Sequence, residues 1–133
     1  MEGKNNNKNT EVVYPELSYK INGAIFNVFK EIGSGHLEKY YQKAVAIELK
    51  KQGINFVEQY YVPVEYQGKN IGKYYLDFLV EGKIVLELKK GIFIPANLIQ
   101  QTKKYLMALN LKLALVACFT NKGVIIKRIL NLY

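Results

Sequence analysis

Tyr74-Tyr75-Leu76-Asp77-Phe78-Leu79-Val80, then Glu81-Gly82, then Lys83-Ile84-Val85-Leu86-Glu87-Leu88-Lys89-Lys90 is the stretch on which the reading of this chain turns. Two short apolar runs flank a glycine-containing turn, the pattern of paired, buried strands. Asp77, Glu87 and Lys89 interrupt them. An isolated buried charge costs several kcal/mol or more unless it is paired or binds a metal. Side chains two apart on a strand leave the same face. Glu87, Lys89 and Val85 therefore share one face, while Ile84, Leu86 and Leu88 share the other. Whether Asp77 joins Glu87 depends on the turn. A two-residue Glu81-Gly82 loop pairs Asp77 with Leu86, on the wrong face. A three-residue Val80-Glu81-Gly82 loop with Gly82 left-handed pairs Asp77 with Val85, diagonal to Glu87. Glycine suits that bulged hairpin, so the second arrangement is expected.

Two carboxylates on one face can hold a hard divalent cation. Such a cation polarises a phosphate and lowers the pKa of a bound water. A neighbouring lysine can orient that water and offset charge developing on the phosphate. Mg²⁺ or Mn²⁺ is the expected ion, because one His and one Cys exclude a zinc site built mainly of those ligands. The competing reading is a surface ion pair on an edge strand, since a Glu-x-Lys tripeptide is common. Glu38 is a fourth candidate, although an acid in the first turn of a helix also simply complements the helix dipole. Gln101 is polar on an otherwise buried stripe and needs hydrogen-bond partners, either backbone groups or an active-site water and metal shell. Glu48 reads as a structural ion-pair residue, His36 as an exposed turn residue and Cys118 as a core thiol.

Outward from the hairpin, helical spacing predicts helices over Leu17 to Ile32 and Leu37 to Gln52, with Gly53 closing the second. Strands are expected at Phe56 to Tyr66, Lys73 to Val80 and Lys83 to Lys89. Pro63 marks an edge or a bulge in the first of these. Pro95 starts a helix to Leu109 whose inward stripe is Leu98, Gln101, Thr102, Tyr105 and Leu109. Strands at Lys112 to Phe119 and Val124 to Ile129 follow. The order helix, helix, three strands, helix, two strands gives an α/β sandwich with a mixed central sheet. In each of the pairs Tyr40-Tyr41, Tyr60-Tyr61 and Tyr74-Tyr75, one ring is expected to pack inward and the other to cover the surface.

The 133 residues suit one domain, and half of them are hydrophobic. A formal charge of +8 favours a polyanionic partner, DNA or RNA, or else simply a soluble lysine-rich surface. Residues 1–13, rich in Asn and Lys, read as a disordered arm preceding a single domain at 14–133. No apolar stretch is long enough to span a membrane and no signal peptide is visible, so no membrane association and a cytoplasmic location are expected.

Several blocks also resemble a known family. Gly35-His36-Leu37-Glu38-Lys39-Tyr40-Tyr41 fits Gly-x-x-Glu-x-x-Tyr. The Asp77 strand, Glu87-Leu88-Lys89, and the segments Leu109 to Phe119 and Ile126 to Ile129 match in order. Together they resemble the GxxExxY protein family, placed in the PD-(D/E)xK nuclease-like superfamily, from about Tyr14 to Leu132. The resemblance implies a restriction-endonuclease-like α-β-β-β-α-β core, here with an extra N-terminal helix and C-terminal strand. It implies Asp77 and Glu87 as metal ligands and Lys89 as the catalytic lysine. Glu38 corresponds to the acid of the first core helix, helping to hold metal or water, and Gln101 to the glutamine of the helix after Glu-x-Lys. Phe29 departs from the pattern, standing where many relatives carry a histidine, and Lys90 adds a second lysine beside the motif.

The function expected is metal-dependent hydrolysis of DNA or RNA. The alternatives are a non-catalytic nucleic-acid-binding module and a regulatory interaction subunit of the same fold. A chain this short has little room for a separate recognition domain, so an enzyme would cut non-specifically, recognise shape, or form a homodimer that lengthens its site.

Overall fold

The computed structural model describes residues 13–132. The first helix, α1 (Pro15–Ile32), carries proline in its first turn, where a missing N–H costs nothing. Ile21, Ala24, Ile25 and Val28 bury one stripe of it. The helix stops at Gly33, whose left-handed φ of 73° turns the chain while its N–H bonds Phe29 O. The second helix, α2 (Glu38–Lys51), buries Tyr41, Val45 and Leu49, each one turn from the next. Its end is a glycine-dependent cap: Gly53 lies at φ 75°, its N–H bonds Lys50 O, and the Ile54 N–H bonds Leu49 O.

Five strands form one sheet in the order β1 (Phe56–Tyr66), β2 (Lys69–Val80), β3 (Ile84–Lys90), β4 (Leu113–Phe119), β5 (Val124–Leu130). All neighbours are antiparallel except β3 and β4, which run parallel and are bridged by α3 (Ala96–Leu109). All seven residues of β4 are buried. That continuous apolar run is what a strand covered on both faces requires. Helices α1 and α2 cover Ile84, Leu86, Leu88, Leu113 and Leu115 on one face. Helix α3 covers Val85, Ala114, Val116 and Ile129 on the other, through Tyr105 and Leu106. The sheet is thus mixed and flanked by helices, with the expected extra helix α1 and extra strand β5.

Three local expectations need adjustment. Strand β2 begins at Lys69 rather than Lys73, because Gln67 and Gly68 both take left-handed φ (50° and 78°) and form a two-residue hairpin turn that extends the pairing. Pro95 precedes α3 as its N-cap instead of opening it. The buried stripe of α3 is Thr102, Tyr105 and Leu106, while Leu98, Gln101 and Leu109 are half-buried. Pro63 does sit on the edge strand, next to a register slip at Val64/Glu65. The arm expected over residues 1–13 lies almost wholly outside the described residues. Among those described, no helix is long and apolar enough to cross a membrane.

Candidate active site

The site begins at the β2–β3 turn. Glu81 and Gly82 lie at φ 53° and 65°, and the Lys83 N–H closes the turn on Val80 O at 2.9 Å. A non-glycine residue in left-handed conformation costs about 1 kcal/mol. Glu81 offsets this by a double link to Asn55: its N–H donates to Asn55 O at 2.9 Å, and its Oε2 accepts the Asn55 N–H at 2.8 Å. Pairing starts at Val80↔Ile84 and continues through Phe78↔Leu86. The three-residue loop is therefore Glu81-Gly82-Lys83, not Val80-Glu81-Gly82. The parity is the one expected, but the register differs by two. Asp77 comes directly opposite Glu87 rather than opposite Val85.

At that position side chains replace the backbone ladder. The Asp77 N–H donates to Glu87 Oε2 at 3.0 Å, and the Leu88 N–H donates to Asp77 Oδ2 at 2.7 Å. The two carboxylates thus take the place of backbone acceptors across the strand pair. Strand β2 also rolls here: Phe78 and Val80 belong to the layer under α1 and α2, whereas Leu76 belongs to the layer under α3. On β1, the residue facing Asp77 in this register is Gln59, itself left-handed at φ 51°.

Both carboxyls resist ionisation. Glu87 is only 8% exposed, and burial, then the nearby Asp77 carboxylate, pushes its pKa up to about 8. Burial also raises Asp77, partly offset by the Leu88 N–H; Glu38 adds to the rise and Lys89 opposes it. Each acid gives one oxygen to a backbone N–H. Asp77 Oδ1 and Glu87 Oε1 are left without a hydrogen bond among the described residues. Such a pair needs either a proton or a cation.

The Gly35-x-x-Glu38-x-x-Tyr41 segment builds the adjoining wall. Gly35 turns the loop at φ 89°, and α2 opens at Glu38. Tyr41, one turn later, is buried with its ring stacked on Phe119 at 3.9 Å. Its hydroxyl donates to Gly33 O at 2.6 Å and accepts the His36 N–H at 3.4 Å. The loop is thereby tied to the helix, and the helix N-terminus is aimed at β3. Glu38 Oε2 accepts the Lys90 N–H at 2.9 Å and lies 3.8 Å from Lys89 Nζ. An ion pair this exposed contributes 0 to about 1 kcal/mol, so its consequence is the placement of Lys89, not stability.

Four of the five candidate residues are thus linked through β3, but Glu38 bonds Lys89 and Lys90 rather than joining the acid pair. Among the described residues no three His, Cys, Asp or Glu side chains form a group that could share an ion. Gln101 is half-buried on α3 and makes no hydrogen bond to the other four. The residue that α3 does bring to the acids is Tyr105, one turn further on. Burial raises its phenol pKa, and the Glu87 carboxylate, the Tyr74 phenol and Asp77 raise it further. Tyr74 meets the Tyr105 ring edge-on at 5.2 Å. Tyr105 is legible in the sequence only as a core position. The i, i+4 step from Gln101 is the one signal pointing to it.

The remaining candidates fall outside the acid pair. Glu48 lies ten residues after Glu38 on α2, about 15 Å away along the axis. His36 is half-buried rather than exposed, with Nε2 2.7 Å from Ile32 O. Cys118 is buried as expected, and its thiol donates to Phe93 O at 3.6 Å. Phe29, at the position that departs from the family pattern, stacks on Phe119 at 6.5 Å. The tyrosine pairs divide as expected at 40/41 and 60/61, but Tyr74 and Tyr75 are both exposed.

The family model described as the PD-(D/E)XK nuclease superfamily matches residues 15–129. No curated protein matches the chain. Among solved structures, the crystal structure of SSO0001 is similar, with a TM-score of 0.58 and 17% identity. The similarity covers 71% of this chain and 51% of that one, so this chain spans about half the length of SSO0001. At that identity the likeness speaks for the fold.

Proposed function

Because the chain belongs to the PD-(D/E)XK nuclease superfamily, we propose that it is a metal-dependent nuclease hydrolysing phosphodiester bonds of DNA or RNA. The observation that carries this is the facing pair of half-buried Asp77 and buried Glu87, both resisting ionisation and each holding one oxygen free among the described residues. Two such oxygens suit a hard divalent cation such as Mg²⁺ or Mn²⁺, which binds oxygen ligands. Asp77 and Glu87 would hold the ion. When bound, it would polarise the phosphate and acidify a water.

The chain's own groups act around that centre. Lys89 leaves β3 on the same face as Glu87, where its ammonium can orient the attacking water and offset charge on the phosphate. Water oxygen bonds to phosphorus, the ester P–O bond breaks, and a phosphate monoester and a free hydroxyl result. Glu38 Oε2 accepts the Lys90 N–H and lies beside the Lys89 ammonium. Gln101, on α3, would use its amide to bind a water of the site. The formal charge of +8 favours the polyanionic substrate.

The test is cleavage of a mixed panel of DNA and RNA with Mg²⁺ or Mn²⁺, wild type beside Asp77→Ala and Lys89→Ala. Wild type should give metal-dependent product that both variants lose. Equal product from all three would sink the reading. A second reading, a non-catalytic nucleic-acid-binding module, draws on the finding that among the described residues no third carboxylate joins Asp77 and Glu87 in a metal-binding group. It predicts salt-sensitive binding that survives Asp77→Ala, with no turnover.

A further inference from the structure

Beyond Lys89 and Lys90 the chain displays two large apolar side chains next to each other. Ile92 is 86% exposed and Phe93 is 64% exposed. The backbone that presents them is anchored. The Gly91 N–H donates to Phe119 O at 3.2 Å, and Phe93 O accepts the Cys118 thiol at 3.6 Å. Cys118 pairs with Lys89 in the sheet and feels the charges of both Glu38 and Lys89. The loop therefore curls back over the end of β4 beside Lys89, with its backbone held down and the side chains of Ile92 and Phe93 exposed. An extended chain spans at most about 3.6 Å per residue, so Phe93 lies within roughly 15 Å of Lys89. That is a reach of a few nucleotides. Tyr40, exposed on the first turn of α2 beside Glu38, adds a ring with Lys39 Nζ 5.6 Å from its centre.

We propose that Ile92 and Phe93 form a base-stacking wedge at the rim of the site, and that its partner is an unpaired nucleobase of single-stranded or locally opened nucleic acid. The proposal rests on the nuclease reading of the same site. Charge complementarity selects the occupant: Lys90, exposed and one glycine before the apolar pair, and Lys89 beside it suit a phosphate backbone. A stacked duplex offers only base edges to such side chains. A single strand, or a step that can be pried open, offers faces on which Phe and Ile insert. DNA and RNA single strands share this chemistry.

The test is equilibrium binding in EDTA, so that no turnover is needed, using short single-stranded DNA, single-stranded RNA, a duplex of the same sequence, and an abasic strand of equal charge. Wild type should bind the base-containing strands about tenfold tighter than the duplex or the abasic strand. Ile92→Ser with Phe93→Ser should remove that preference while leaving abasic binding within about twofold, and Phe93→Trp should retain it. 2-Aminopurine in the strand should be quenched by wild type and Phe93→Trp only. The idea is overturned if the double variant keeps the preference, if wild type prefers duplex, or if wild type binds no strand. A patch variant that alters only self-association in sedimentation would assign the surface to a second copy of the chain instead. Loss of turnover in Mg²⁺ with stacking intact would count against the nuclease reading alone.

Discussion

Replacing Glu87 by glutamine should make the metal-free protein more stable at alkaline pH. In the folded protein burial and Asp77 move the Glu87 carboxyl from 4.5 to about 8. A raised carboxyl favours the protonated form on folding. Its contribution is fully present below pH 4.5 and is lost as pH rises to 8. At 1.36 kcal/mol per pH unit, the cost of ionising Glu87 amounts to about 3 kcal/mol at pH 7 and about 5 kcal/mol above pH 8. Relaxation and water entry reduce such figures, so about 2–4 kcal/mol is expected at pH 8.5. Glu87→Gln keeps an oxygen for the Asp77 N–H and cannot ionise. Urea unfolding in EDTA should show the variant about equal to wild type at pH 5 and about 2–4 kcal/mol more stable at pH 8.5. Added Mn²⁺ should close the gap by stabilising wild type alone. If the difference between variant and wild type does not change with pH, the buried-acid argument is wrong.

Two further perturbations probe the wall of the site. Tyr41→Phe keeps the ring stack on Phe119 but removes the hydroxyl that links Gly33 O and the His36 N–H; a loss of about 1–2 kcal/mol in urea unfolding is expected, and no loss would show that the loop is held otherwise. Glu38→Gln should change stability by less than about 1 kcal/mol yet lower the rate of metal-dependent cleavage by roughly tenfold or more through misplacement of Lys89, whereas a large stability loss with unchanged turnover per folded molecule would make Glu38 purely structural.

The parts of this molecule that were legible in its sequence are those set by local periodicity. The α1 stripe, the continuous apolar β4 and the shared face of Glu87 and Lys89 follow from spacings of about 3.6 and 2 residues. The odd length of the β2–β3 loop was legible too, because a glycine suits a three-residue bulged turn. The exact register was not. Glu81 adopts a left-handed conformation because Asn55, distant in sequence, bonds both its amide and its carboxylate. The early start of β2 was hidden for a related reason, since Gln67 is not a residue whose type announces a primed turn. Tyr105 reaches the acids through α3 and the roll of β2 at Asp77, a tertiary consequence that no window of sequence displays.

The most direct measurement of the central claim is anomalous diffraction from crystals soaked in Mn²⁺, wild type beside Asp77→Ala. A peak between Asp77 and Glu87 in wild type, absent in the variant, is the result expected. A wild-type site without a peak, or a peak that survives in Asp77→Ala, would contradict the assignment of these two carboxylates as the metal centre.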